Sequence, residues 1–249
     1  MGFDFEAVDA LDYDELRPTY ATESVRWVAD RARLVPGSTV VDLAAGTGQL
    51  TRRFSERGCH VIAVEPAANM RSVLQANAPE VTALAGTAEA IPVPDGDADA
   101  VVVGNAFHHF EPDRASREIR RVLRQNGALA LFWARADQED RSMMNQIKRE
   151  IDRIVEQVRP SSDFIDAYVS WYEPQAVEGF TPFERRSFPT THVIPSSRVA
   201  DLYATSSDIA SLQPNVRSDL LGRITGLATG LPETLELAER SEVHFAVRA

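Results

Sequence analysis

The chain has 249 residues, 44% hydrophobic and 25% charged, enough apolar material for one large α/β domain and too much for a disordered chain. Its formal net charge is −11, from 26 basic and 37 acidic side chains; a phosphate-backbone binder carries the opposite balance, so no nucleic-acid partner is expected, and pairs such as Arg52-Arg53, Arg120-Arg121 and Arg185-Arg186 read as solvated faces. A lone cysteine, Cys59, leaves no internal disulfide and no thiolate zinc site, and the lack of a membrane-length apolar run or of an apolar signal core in residues 1–14 leads to the expectation of a cytoplasmic protein with no membrane partner.

Strands alternate with helices through the first half. Residues 38–43 are β-rich and follow the turn pair Pro36-Gly37, so they read as strand one. A helix over 49–57 comes next, with Leu50 and Phe54 four apart and Gly58 available for its C-terminal turn. Strand two is 60–64, a helix spans 67–76, and 81–85 is a short third strand. The proline-rich loop 91–97 leads into strand four at 98–103. Glu111-Pro112 starts a helix with proline at its first position, and Ala115, Ile119, Val122 and Leu123 share one face of it. Asn126-Gly127 then turns the chain into strand five, 128–133. Such uninterrupted apolar strands suit a parallel sheet covered on both faces.

In the second half a helical stripe runs from Met143 to Val158. Residues 183–192 read as a strand, two helical segments follow near 197–212 and 216–227, and Val243, Phe245 and Val247 alternate through a final strand at 242–248. One domain is expected: N-terminal lid helices over 1–36, a cofactor-binding core over 37–135, a substrate-facing cap over 136–182, and the C-terminal strands and helices over 183–249.

Three stretches carry chemistry. Open parallel sheets bind ligands beyond the carboxyl ends of their strands, where strand order reverses. The turn Asp42-Leu43-Ala44-Ala45-Gly46-Thr47-Gly48 follows strand one; its small residues let a ligand approach the backbone, although a plain structural turn has the same composition. Glu65 ends strand two, where an acid accepts hydrogen bonds from both ribose hydroxyls, or else faces solvent as a charged strand end. Pro66 fixes the next turn and Met70 can lie against a flat base. After strand three, Thr87, Ala88 and Glu89 offer backbone groups and side chains for the edge of an adenine.

These pieces, with 13–20, 95–100, 106–110 and 121–127, occur in the order of a known family. The sequence resembles the class I S-adenosylmethionine-dependent methyltransferases, in the small-molecule branch called the type 11 methyltransferase domain, most strongly from residue 13 to 135. The resemblance implies a Rossmann-like, doubly wound, mostly parallel seven-stranded sheet with an antiparallel last strand, an N-terminal helical lid and a helical cap after strand five. It implies S-adenosyl-L-methionine as cofactor and a small-molecule acceptor. By the same resemblance Asp42 and the backbone of Ala44, Gly46 and Gly48 hold the methionine part, and Glu65 the ribose. Pro66 and Met70 flank the adenine, Thr87, Ala88 and Glu89 read its edge, and the backbone of Asn105 positions the aminopropyl end. Arg17 and Tyr20, on the lid, meet the cofactor carboxylate, or else Arg17-Pro18 is an ordinary helix boundary. Ala44 stands where the family has its first glycine, Ala45 where it often has cysteine, Thr87 where it often has an acid, and His108-His109 where it has His-Trp.

Methyl transfer is an in-line displacement in which the protein supplies positioning and desolvation. Where the nucleophile starts protonated, His108 is the candidate general base, following strand four; it also reads as a loop histidine that shapes the pocket. His109 should point elsewhere, His192 and His244 read as structural, and no metal site is expected. Trp133, the helix after it, 163–171 and the segment at Phe183 are expected to build the acceptor-facing cap, with Trp171, Tyr172 and Tyr203 facing the acceptor or packing the cap itself. Two other readings stay open. A nicotinamide-dependent oxidoreductase shares the turn and the acid, although Thr51 stands in the place of its third glycine. A non-methylating protein of the same fold keeps the cofactor as a structural or electrostatic element.

Overall fold

The computed structural model describes residues 5–137, 139–140, 143–158 and 177–249; the acceptor-facing segment expected at 163–171, with Trp171 and Tyr172, lies outside them. Two helices come first, α1 (Ala10–Leu16) and α2 (Thr22–Arg31). The alternating core follows: β1 (Thr39–Leu43), α3 (Gln49–Ser55), β2 (His60–Val64), α4 (Ala68–Asn77), β3 (Thr82–Leu84), β4 (Ala98–Gly104), α5 (Pro112–Val122) and β5 (Leu123–Ala136). The remainder is α6 (Met143–Glu156), β6 (Glu184–Pro195), α7 (Val199–Ala204), α8 (Ser207–Ala210), α9 (Pro214–Ala228) and β7 (Thr234–Val247).

The seven strands form one sheet in the order β3-β2-β1-β4-β5-β7-β6. Strands one to five pair in parallel, whereas β7 runs antiparallel to both β5 and β6. Side chains alternate faces along each strand, and the two faces are covered separately. Val41, Leu43, Ile62, Val101, Val103, Leu129 and Leu131 pack with Ala115, Ile119 and Val122 of α5. Val40, Val61, Ala63, Val102, Ala130 and Phe132 pack on the other side with Trp27 and Val28 of α2, Leu50 and Phe54 of α3 and Leu74 of α4. The chain leaves β1 toward β2 on one side and returns to β4 on the other, so the order reverses between β1 and β4, where ligands bind in such sheets.

A third apolar cluster joins Ile151, Ile154 and Val155 of α6 to Ile194 of β6, Leu220 and Ile224 of α9 and Leu235 and Leu237 of β7. Several expectations change here. Strand five runs over 123–136 rather than 128–133, and Leu123 is the C-cap of α5 and the first residue of β5 rather than part of the helix face. Strand seven starts eight residues before 242. The helix expected over 197–212 is broken at Thr205-Ser206. No helix among the described residues is long and apolar enough to cross a membrane.

Candidate functional site

The backbone of the turn after β1 is left-handed at Ala44 (φ 55°), Gly46 (φ 57°) and Gly48 (φ 90°). Ala45 N–H donates to the carbonyl of Val64 at 3.1 Å, which ties the turn to the end of β2. Glu65 completes the link: one carboxylate oxygen accepts from Gly46 N–H at 2.8 Å and the other from Ala67 N–H at 2.9 Å. The acid is 5% exposed, and burial pushes its pKa up against the pull of those two hydrogen bonds. It is therefore no solvated strand end. Each of its oxygens keeps a lone pair for a hydroxyl donor.

Asp42 is buried at the end of β1 and accepts from the Thr51 hydroxyl at 2.6 Å. Burial raises its pKa to about 7, with the Thr51 bond opposing. Thr51 thus fills the place where a dinucleotide turn keeps its third glycine, and its side chain is committed to the site. Gly48 caps α3 with the side chain of Leu74 against it, so an added Cβ there would meet Leu74 Cγ at 3.0 Å.

The lid closes over this turn. Asp9 caps α1 by accepting from Leu11 and Asp12 N–H. Asp14 then docks the helix: it receives Arg52 at 3.0 Å and Asn77 at 2.8 Å, while its carbonyl accepts from Gln49 at 2.9 Å. Arg52 also donates to the turn carbonyl of Thr47 at 3.1 Å. Tyr20 is buried with its hydroxyl against Gly104, where an added Cβ would lie 2.5 Å from it. Arg17 lies over the Tyr13 ring and donates to Thr205 and Ser206, both at 2.8 Å. Sequence reasoning missed Asp14, Arg52 and Tyr13. Oppositely charged residues on two predicted helices were the only signal for the first two, and for Tyr13 its place beside the lid motif.

On the far side, Thr87 and Ala90 form an isolated bridge, and Glu89 turns to accept from Glu111 N–H at 2.9 Å, at the start of α5. Arg121 braces the loop that follows by donating to the carbonyls of Ile91 and Val93, both at 2.8 Å, and to Asp95 at 2.7 Å. The reading of Arg52 and Arg121 as solvated is thus corrected. At the end of β4, Asn105 has φ 50°; its N–H donates to Phe132 at 2.8 Å and its side chain accepts from Ala134 N–H at 2.9 Å.

Between these walls lies a cavity of about 270 Å³. Ala44, Gly46, Glu65, Pro66, Met70, Thr87, Ala88, Glu89 and Asn105 all line it, with Tyr13 and His109. A narrower cleft of about 40 Å³ continues past Asp42, Tyr20, Arg17 and Asn105. Gly48 stands apart at the start of α3 and lines neither.

His108 and His109 share a short 3-10 turn with Phe107. That tight turn brings their ring centroids within 3.8 Å, tilted by 49°, instead of sending them apart, which corrects the expectation that His109 points elsewhere. His109 reaches the larger cavity, and the His108 ring lies 5.5 Å from Trp133. Trp133 is itself part of the sheet core, not of a cap. Burial holds both histidines neutral, His108 down at about 3 with His109 adding to the effect, and His109 at about 4. An imidazole so depressed is a weak base at neutral pH. His192 lies in β6 and His244 in β7.

Comparison with known proteins agrees with this arrangement. Residues 41–131 match the family described as Methyltransferase domain. An uncharacterized methyltransferase of Mycobacterium tuberculosis is 36% identical over 220 residues, covering 88% of this chain and 84% of its own. A demethylmenaquinone methyltransferase of Renibacterium salmoninarum is 32% identical over 134 residues, 49% of this chain and 56% of that protein. Among solved structures, a chain from Anaeromyxobacter dehalogenans assigned as a type II methyltransferase superposes with a TM-score of 0.66 at 21% identity, over 93% of this chain and 97% of its own. The Mycobacterium tuberculosis relative and the domain match show the family: the chain belongs to the methyltransferases with the type 11 methyltransferase domain.

Proposed function

We propose that the protein transfers a methyl group from S-adenosyl-L-methionine to a small-molecule acceptor. One observation carries this reading: the three motifs read from the sequence line a single cavity, with Gly46 and Glu65 joined by a hydrogen bond across nineteen residues. The residues present fit the cofactor. Glu65 has acceptor capacity left for ribose hydroxyls, and Pro66 and Met70 supply apolar surface for an adenine. The backbone around Thr87 and Ala88 supplies its edge contacts, and Glu89, turned toward α5, contributes through its main chain. Asp42 and the backbone of Ala44 and Asn105 stand in the narrow cleft where an ammonium would be held, with Arg17 and Tyr20 beside them for a carboxylate.

When bound, the cofactor supplies an electrophilic methyl on a sulfonium. The chain's own residues bind, orient and exclude water: the lid held by Asp14 and Arg52 closes the cleft, and the neutral His109 ring, with His108 against it, lines the larger cavity without adding charge. Calorimetric titration with S-adenosylhomocysteine tests the reading. Micromolar binding is expected, weakened at least tenfold in Glu65→Ala, whereas unchanged affinity in that variant would remove the ribose assignment. His108→Ala is expected to lower turnover more than binding, because the His108 ring backs His109, which lines the cavity.

A further inference from the structure

A second cavity, of about 450 Å³, lies between α6, α7 and the extension of the sheet by β6 and β7. Its volume is that of a small-molecule site. Ile151, Val155, Ile194, Leu202, Leu235 and Leu237 make part of its wall apolar, and charged and polar side chains share the rest. Glu239 follows Leu235 and Leu237 at the two-residue period of β7 and so faces the same way. It is 6% exposed, and its Oε2 is buried with no hydrogen-bond partner among the described residues.

Most of the other charged side chains that line the cavity have partners. The Tyr203 hydroxyl donates to one oxygen of Asp152 at 3.0 Å, and Lys148 pairs with the other at 3.3 Å. Arg17 is held by Thr205 and Ser206. Glu156 lies at the end of α6, and His192 on β6, opposite Leu237, has its pKa lowered by burial and a buried Nε2 without a hydrogen-bond partner among the described residues. Glu239 holds an open carboxylate acceptor beside apolar side chains, an arrangement that costs free energy until a donor fills it. Burial raises its pKa to about 7 against the pull of Lys148 and Arg17. Those two cations also argue against a cationic ligand.

The cavity adjoins the cofactor cleft. Arg17 and Pro18 line both. Ala134, in the wall of the second cavity, donates its N–H to Asn105 of the first. We propose that this cavity is the acceptor pocket, taking an uncharged, largely apolar molecule that bears one hydroxyl, with that hydroxyl donating to Glu239. The inference deepens the methyltransferase reading and rests on it for the word acceptor.

The test is equilibrium binding to the full chain, without cofactor, of two probes that differ only in the donor: 1-naphthol and 1-methoxynaphthalene, followed by their fluorescence. Naphthol is expected to bind about tenfold more tightly than its ether to the unmodified protein. Glu239→Leu should abolish the preference, and Glu239→Gln, which keeps a neutral acceptor and the side-chain shape, should reduce it. Equal binding of the two probes overturns the proposal, as does a preference that survives Glu239→Leu or tighter binding of 1-naphthylmethylammonium. S-adenosylhomocysteine is titrated on the same samples. S-adenosylhomocysteine binding without the naphthol preference sinks the pocket alone, and its absence sinks the cofactor reading instead.

Discussion

Ala44 is an L-residue held at φ 55°, a conformation in which its Cβ crowds the following carbonyl at a cost of about 1–2 kcal/mol. It sits where the family resemblance leads one to expect glycine, and the geometry gives a reason: the chain turns left-handed there and Ala45 N–H reaches Val64. Ala44→Gly relieves the strain but adds about 0.5–1 kcal/mol of unfolded-chain entropy. The net expectation is a protein more stable by about 0.5–1 kcal/mol in urea unfolding, with cofactor affinity retained. A loss of stability would mean that the alanine methyl packs better than the strain costs. At this scale much was legible. Asp42 and Glu65 stand out as acids at strand ends, and Gly46 as a small residue in the turn after β1, because parallel sheets place ligands there. Glu239 did not, because an acid between Ala238 and Arg240 in a charged stretch reads as solvated. Only the pairing with β5 and β6 buries it.

Elements were legible where one rule governed them. The strands β1, β2 and β4 are continuous apolar runs, and their bounds fell within one or two residues of expectation. By contrast, β7 escaped over its first eight residues because its inward positions include Glu239 and Ser241, which break the period-two apolar signal. The helix at 197–212 broke because the Thr205 and Ser206 hydroxyls serve Arg17, a partner almost two hundred residues away in sequence that no local pattern reveals. The lid gives the sharpest test at this scale. Arg52 and Arg53 are adjacent on α3, yet only Arg52 joins the Thr47 carbonyl to Asp14 of α1. Arg52→Ala should destabilise by about 1–2 kcal/mol, since it takes from a half-buried carboxylate its only cationic partner among the described residues, leaving Asn77, and frees a turn carbonyl. It should also speed limited proteolysis within residues 10–20. Arg53→Ala should stay within about 0.5 kcal/mol of the parent. Equal effects of the two substitutions would show that the lid is held by its apolar contacts with Met70 and Ala67 instead.

Across the whole molecule, the sheet order places Asp42 at the reversal between β1 and β4 and Glu239 on the antiparallel extension, with Arg17 between their two cavities. Both carboxyls are raised by burial to about 7, from ordinary values of 3.8 and 4.5. Between those values the unfolded chain has lost protons that the folded chain keeps, so their contribution to stability falls as pH rises from about 4 to 7. His108 and His109 act the other way. Burial lowers them from 6.5 to about 3 and about 4, so the unfolded chain holds protons that the folded chain lacks, and their contribution rises with pH up to 6.5. Two opposed pairs leave the unliganded protein with a shallow stability profile between pH 4.5 and 6.5 and a decline from there toward 7.5. The double variant Asp42→Asn, Glu239→Gln removes one pair. Its melting temperature should climb steeply from pH 4.5 to 6.5 and then level off, while the parent stays nearly flat over the same range and falls beyond it. Parallel profiles for the two proteins, measured by calorimetry in low-salt buffers, would show that these carboxyls ionise at ordinary values in the folded chain, and that solvent reaches both cavity floors.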